Sequence, residues 1–281
     1  MINIGLYNTL PIVRKTPQGL YLGNPDEEEV LLPWKYAPKS AVEGESLTVF
    51  VYLDSEDRMI ATTLQPKVLL HEFACLEVKA TTPHGAFLDW GLEKDLFVPF
   101  REQAQRMLVG QSYLVYVYLD KESDRLVASS KLGKFLKNTA IDLQEGEEVE
   151  IIIWEPTALG MNVIVNQKYK GLIYHNEIFA RIQPGDVRKA YISKIREEQK
   201  IDVVLQKPGY ERIEPTAAAI LSRLKSAGGF LPLTDKSEPH EVASLLEISK
   251  KTFKKAVGTL YKQRLIRLEA DGIYLMDKAV E

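Results

Sequence analysis

Up to about residue 207 the apolar residues fall in short runs alternating with polar ones and broken by Gly, Pro and Asp, and beyond Pro208 they recur at helical spacing. Alternation with period 2 marks half-buried strands, and recurrence at three and four residues marks amphipathic helices. Between Ala74 and Ser129 the pattern predicts strands near Ala74 to Ala80, Ala86 to Trp90, Leu96 to Phe100, Tyr113 to Leu119 and Arg125 to Ser129. A helical turn is expected from Arg101 to Met107, after the third strand. Five strands in about 60 residues, with a helical turn in that position, have the size and order of an OB-type barrel.

The same pattern occurs three times. Thr16-Pro17-Gln18-Gly19-Leu20-Tyr21-Leu22 returns 66 residues later as Thr82-Pro83-His84-Gly85-Ala86-Phe87-Leu88. Leu32-Pro33-Trp34 returns as Val98-Pro99-Phe100, and Val49 to Asp54 as Val115 to Asp120, in the same register. A more diverged copy lies 75 residues further on, where Gly85 maps to Gly160, Val98 to Ile173 and Tyr116 to Tyr191. The helical turn is expected again at Trp34 to Ser40 and at Asn176 to Ile182, and the linker from Lys131 to Glu148 absorbs the extra length.

In the C-terminal quarter Pro215 opens a helix containing Ala217, Ile220, Leu221 and Leu224, which ends at Gly228-Gly229. A second helix is expected from Ser237 to Leu246, and a third from Lys250 to Gln263 with Ser249 as its cap. Leu265 to Leu268 and Ile273 to Met276, joined by Ala270-Asp271-Gly272, read as a hairpin. Three helices and a hairpin make a winged helix-turn-helix. The fold expected is therefore mainly β with a C-terminal α+β module: three tandem five-stranded OB-fold barrels at 1–65, 66–137 and 138–207, then a winged helix at 208–281.

Composition narrows the function. The 281 residues are 45% hydrophobic and 27% charged, as in ordered globular chains. No apolar run reaches membrane-spanning length and Met1 to Gly5 lacks a signal-peptide pattern, so a cytoplasmic protein with no membrane partner is expected. The single cysteine, Cys75, and four dispersed histidines give no disulfide framework and no metal-ligand spacing. Neither a phosphate loop nor a Gly-x-Ser-x-Gly elbow is present, and the acidic run Asp26 to Glu29 reads as a solvated loop, so no enzyme, cofactor or small-molecule substrate is expected. Residues 1–207 carry 24 basic and 29 acidic side chains, a balance of −5, whereas residues 208–281 carry 12 and 10, a balance of +2. Phosphate affinity grows with neutralised charge, so binding by the barrels has to come from local basic edges and stacking, weak per domain and raised by tandem linkage.

Gly85-Ala86-Phe87-Leu88-Asp89, Phe97-Val98-Pro99-Phe100-Arg101-Glu102 and Asp120 with Arg125-Leu126-Val127-Ala128-Ser129 give the second repeat its character. They resemble the S-one domain, the OB-fold RNA-binding repeat named after the largest small-subunit ribosomal protein. Gly171-Leu172-Ile173-Tyr174-His175-Asn176-Glu177-Ile178 in the third repeat is similar to that family's second element. Three such repeats and a winged helix resemble the bacterial conserved virulence factor B family. The resemblance implies a non-catalytic RNA-binding regulator of gene expression. Where that pattern carries histidine the chain has Pro33, Pro99 and Tyr174, and the outward aromatic of the second strand is Tyr21, then Phe87, then Asn162.

Single-stranded nucleic acid is held on OB barrels by aromatic faces that stack on bases and by cations that follow the phosphates. Candidate contacts to single-stranded RNA are Tyr21, Phe87 and Tyr174 as faces, Arg58, Arg125 and Lys200 at the start of the last strand, and Asp120 for a sugar hydroxyl, a base amine or the fixing of the arginine. Tyr21 and Phe87 stand equally as core aromatics, and Trp34, Phe100 and His175 are assigned to packing. On the third helix of the winged domain, Phe253, Val257, Leu260 and Tyr261 form the inward stripe, opposite Lys251, Lys255, Gly258 and Lys262. Those three lysines are the candidate nucleic-acid face, or else a solvated surface. The alternative function is a DNA-binding transcription regulator that reads duplex DNA with the winged helix and uses the barrels as protein-interaction modules. Partners from the ribosome or the transcription machinery are compatible with either.

Overall fold

The computed structural model describes residues 1–24, 26, 28–121, 123–178, 181–206 and 215–276. Residues Met1–Leu205 form one compact unit and Gln206–Glu281 a second. The boundary expected at 207/208 lies outside the described residues.

The first unit contains three closed barrels. The first is built from β1 (Tyr7–Lys15), β2 (Gly19–Asn24), β3 (Glu28–Pro33), β4 (Ser46–Leu53) and β5 (Met59–Thr62). The second uses β6 (Phe73–Thr82), β7 (Gly85–Asp89), β8 (Leu96–Pro99), β9 (Ser112–Leu119) and β10 (Leu126–Ser129). The third uses β11 (Glu148–Pro156), β12 (Gly160–Val165), β13 (Tyr169–Tyr174), β14 (Val187–Ile195) and β15 (Ile201–Val204). In each, the third and fifth strands pair in parallel, through Leu31 and Ile60, Phe97 and Val127, and Gly171 and Ile201. All other pairs are antiparallel, which is the OB arrangement.

The repeat is physical as well as statistical. A register shift interrupts the first strand between Ile12 and Arg14, Val78 and Ala80, and Ile153 and Glu155, bending that strand at the same place so that the sheet can close. At the following hairpin, Thr16, Thr82 and Thr157 each donate a side-chain hydrogen bond to the carbonyl of the glycine three residues on, at 3.0, 3.4 and 3.1 Å. Those glycines lie under the third strand: a Cβ on Gly19, Gly85 or Gly160 would stand 2.1, 2.3 or 1.9 Å from a backbone oxygen. Inward residues fill each barrel: Leu20, Leu22, Val30 and Leu32 in the first; Leu76, Leu88, Val98 and Val115 in the second; Ile151, Val163, Ile173 and Ile192 in the third.

Helical turns after the third strands are shorter than the sequence implies. Only one 3₁₀ turn forms at Phe100–Glu102 and one at His175–Glu177, and 34–40 consists of turns. At Gln103 the backbone turns extended, and its side chain donates to the Val98 carbonyl and accepts from the Met107 N–H at 3.1 and 3.2 Å, supplying bonds that a helical ladder would have made. Residues 179 and 180 of the third turn lie outside the described residues.

In the second unit α1 (Pro215–Ser226), α2 (Pro239–Leu246) and α3 (Lys250–Lys262) pack with a sheet of β16 (Phe230–Leu231), β17 (Ile266–Leu268) and β18 (Ile273–Leu275), in the order β16-β18-β17. The short β16 completes the wing and is an element the sequence pattern did not reveal. Ser249 caps α3 by accepting the Thr252 N–H at 3.1 Å. Phe253, Ala256, Val257 and Leu260 are buried, but Tyr261 is 54% exposed. The inward assignment of Tyr261 is thus corrected: at 100° per residue it lies 80° round from Phe253, on the flank of the stripe.

Candidate nucleic-acid interface

In β7, Ala86 and Leu88 point inward, so Phe87 and Asp89 point out. The same alternation in β8 buries Leu96 and Val98 and turns out Phe97. Phe87 faces Phe97 across the β7–β8 pair with ring centroids 5.0 Å apart, and both rings are half-buried. A cleft of about 370 Å³ opens on this face, lined by Phe87, Phe97, Trp90, Lys94 and Arg125 of the second barrel and by Tyr52 of the first. Tyr52 and Phe50 pack against Trp90 at 6.3 and 5.7 Å, and burial pushes the Tyr52 phenol up to about 12, so this wall is neutral at ordinary pH.

The cations at this cleft are partly engaged. Arg125 is ion-paired with Asp57 on the β4–β5 hairpin of the first barrel, and both side chains are about half exposed. Lys94 donates to the Asp54 carbonyl at 2.6 Å, and burial lowers its pKa. An exposed pair of the Arg125 kind contributes about 0–1 kcal/mol, so a phosphate can displace the carboxylate. Asp120 does not fix Arg125. Its carboxylate accepts from Ser123 Oγ at 2.8 Å and faces Arg101 at 3.4 Å. Beside the cleft, hydrogen bonds from Lys67, then the Gly91 N–H and Lys79, hold the Asp89 carboxyl down at about 2.

On the first barrel Tyr21 is turned outward between buried Leu20 and Leu22. Arg14 lies over its ring at 3.9 Å and pairs with Glu29, so the ring already carries a cation on one face. Arg58 is held at two points by Asp54, Nε at 3.0 Å and Nη2 at 2.8 Å. Burial acts to raise the Asp54 pKa, and hydrogen bonds from the Arg58 backbone and guanidinium outweigh it. Here the aspartate does fix the arginine.

On the third barrel the aromatic is missing and the charges are exchanged. Asn162 is buried and donates to Glu155 at 3.0 Å. Lys200 is paired with its neighbour Glu198 and does not join Tyr174. That role falls to Arg196, which binds Asp202 through Nε and Nη2 at 2.9 and 2.8 Å and donates to the Tyr174 hydroxyl at 2.9 Å. By its hairpin bond, Arg196 N–H to the Lys200 carbonyl, Arg196 stands where Asp54 and Asp120 bond the Arg58 and Arg125 carbonyls, a charge reversal that the 75-residue register, which puts Ile195 there, does not show. Phe97 was legible, as the outward residue of an alternating strand. Trp34 and Phe100, 45% and 44% exposed, and the exposed His175 are not packed in a core, contrary to expectation. They lie on the turns after the third strands, outside the barrel walls, where the Trp34 indole donates to the Thr16 carbonyl at 2.9 Å.

On α3 the side chains of Lys251, Lys255 and Lys262 are exposed, and a Cβ on Gly258 would meet nothing within 4 Å. Packing within the domain therefore leaves the space beside Gly258 open. Among the described residues no group of three or more His, Cys, Asp or Glu is placed to hold a metal ion. No helix of the described residues is long and apolar enough to cross a membrane.

Family models match the first two barrels and the winged domain. The S1 domain family matches residues 4–64 and 72–131, and the CvfB-like winged helix domain matches residues 218–275. Proteins named Conserved virulence factor B from Staphylococcus aureus strains bovine RF122 / ET3-1 and USA300 are 25% identical over 242 residues, covering 84% of this chain and 81% of theirs. A crystal structure of a multidomain protein with nucleic acid binding domains from Streptococcus pneumoniae is 23% identical, with a TM-score of 0.45 over 97% of this chain and 98% of that one.

Proposed function

With S1 domains followed by a CvfB-like winged helix domain, the chain belongs to the conserved virulence factor B family, and from that membership we propose that it is a non-catalytic protein binding single-stranded RNA. The observation that carries the reading is the second barrel's outer face, where Phe87 and Phe97 present adjoining rings beside Arg125 and Lys94. Stacking on such rings contributes about 1–3 kcal/mol per base and accepts any base, and the cations follow the backbone. Tyr21, Arg58, Tyr174 and Asp120 contribute secondary contacts, and Lys200 an outlying one. Lys251, Lys255 and Lys262 of the winged helix add phosphate contacts. The domain division is 1–65, 66–137, 138–207 and 208–281, and the biological role is post-transcriptional regulation in the cytoplasm.

The exposed lysine face of α3 supports a second reading, duplex-DNA binding by the winged helix with the barrels as protein-interaction modules. Titrating the full chain with single-stranded RNA and with duplex DNA, beside a piece ending at about residue 206, separates the two. RNA affinity retained by the piece is the expected result. Preference for duplex DNA, abolished by removing the winged helix, would overturn it in favour of the second reading.

A further inference from the structure

The connector between the second and third barrels is a basic stretch of the acidic first unit. Residues 131–137, Lys-Leu-Gly-Lys-Phe-Leu-Lys, contain three lysines and no acid. Leu132 and Leu136 are buried against Phe73, Ile152 and Ile164 of the two flanking barrels, so the connector lies on the body of the unit. A 3₁₀ turn at Leu132–Lys134 and the two leucine anchors leave Lys131, Lys134 and Lys137 on the outside. Asn138 then fixes the end of the connector to β13, donating to the Lys170 carbonyl at 2.7 Å and accepting the Lys170 N–H at 2.8 Å. This brings a fourth lysine to the same edge.

Half-buried aromatic rings run along this connector. Phe135 stacks on Tyr116 with centroids 4.1 Å apart and approaches Tyr118 at 5.3 Å. Lys134 Nζ lies 4.9 Å from the Phe135 centroid and Lys170 Nζ 5.2 Å from that of Trp154. Lys134 is neutralised by Glu102, whereas Lys131, Lys137 and Lys170 enter no ion pair among the described residues. Three unneutralised cations on a connector bordered by half-buried aromatic rings, one of them, Lys170, lying over Trp154, complement a single-stranded phosphate backbone. In a unit whose overall charge is acidic it is a local basic edge of the kind that binding requires.

We propose that this seam is a binding site for the backbone of single-stranded RNA, carrying the strand from the second barrel to the third through Lys131, Lys137 and Lys170. The inference rests on the RNA-binding reading above and adds a route between barrels. It is tested with the full chain carrying Lys131→Gln, Lys137→Gln and Lys170→Gln together, titrated with oligouridylates of about 6 and about 30 nucleotides, one within a single OB-fold site and one able to span two. Each phosphate contact on a single strand contributes about 0.7 to the slope of log affinity against log salt, so the long oligomer's slope should fall by about 2 and the short one's should stay unchanged. An unchanged slope for the long oligomer, with wild type binding both, overturns the seam and leaves the RNA-binding reading standing. Equal losses on both oligomers also overturn it, because a contact used by the short strand is no route between barrels. Wild type binding neither would overturn both.

Discussion

The second and third barrels share strand order, the bulge in the first strand, and the threonine–glycine hairpin, yet their outer faces differ position by position. Along β7 the outward residues are Phe87 and Asp89, and along β12 the equivalent positions hold Asn162 and Ile164. Phe87 borders an open cleft, whereas Asn162 is buried against Glu155. Asp89 is a half-exposed carboxylate between two lysines, whereas Ile164 is fully buried at the junction with Phe73 and Leu136. The comparison separates two layers of information. Inward positions and hairpin backbone specify the barrel, and outward positions decide whether a face meets solvent, ligand or another barrel.

The largest effect should come from the position where the two barrels differ most. Ile164→Ala should cost about 2–5 kcal/mol, as buried aliphatic truncations do, while Asp89→Asn at the equivalent position should cost less than about 1 kcal/mol. Urea denaturation of the two variants checks this, and similar costs would mean that the third barrel's outer face is not a packing surface. Next come positions where the barrels should agree. Gly85→Ala and Gly160→Ala each drive a Cβ against a backbone oxygen, at 2.3 and 1.9 Å, and both should lose about 1–3 kcal/mol. If either variant were as stable as wild type, the shared hairpin geometry would not be the constraint described. The smallest effect is electrostatic: Arg125→Ala should lower the salt slope of RNA binding by about 0.7, and Lys200→Ala, whose ammonium is already paired with Glu198, should lower it by less. Equal slopes for these two variants would erase the distinction between the faces.

Much of the scaffold was legible because period-2 burial and glycine-bearing hairpins are local. Strands such as Tyr113 to Leu119 differ from β9 by a residue, and Ser249 as the cap of α3 follows from its side chain and its place before the helix. What one barrel's outer surface meets depends on neighbours distant in sequence. Arg125 finds Asp57, 68 residues away, and Tyr52 of the first barrel walls the cleft of the second. Alternation alone reveals neither. A trace was present in the continuous apolar run Val163-Ile164-Val165, which signals a strand covered on both sides. Tyr261 and Trp34 escaped because a large aromatic at the edge of a stripe, or just past a strand end, has the composition of core without its location.

The central claim, that the second barrel carries an RNA-stacking face and the third does not, is tested most directly by measuring single-stranded RNA affinity of Phe87→Ala and Asn162→Ala side by side by fluorescence anisotropy, with thermal unfolding as the control for folding. Phe87→Ala should lose about 1–3 kcal/mol of binding at unchanged stability, and folded Asn162→Ala should bind as wild type does. Unchanged affinity in Phe87→Ala, or a loss that follows its unfolding, would contradict the account and return Phe87 to the packing of the barrel.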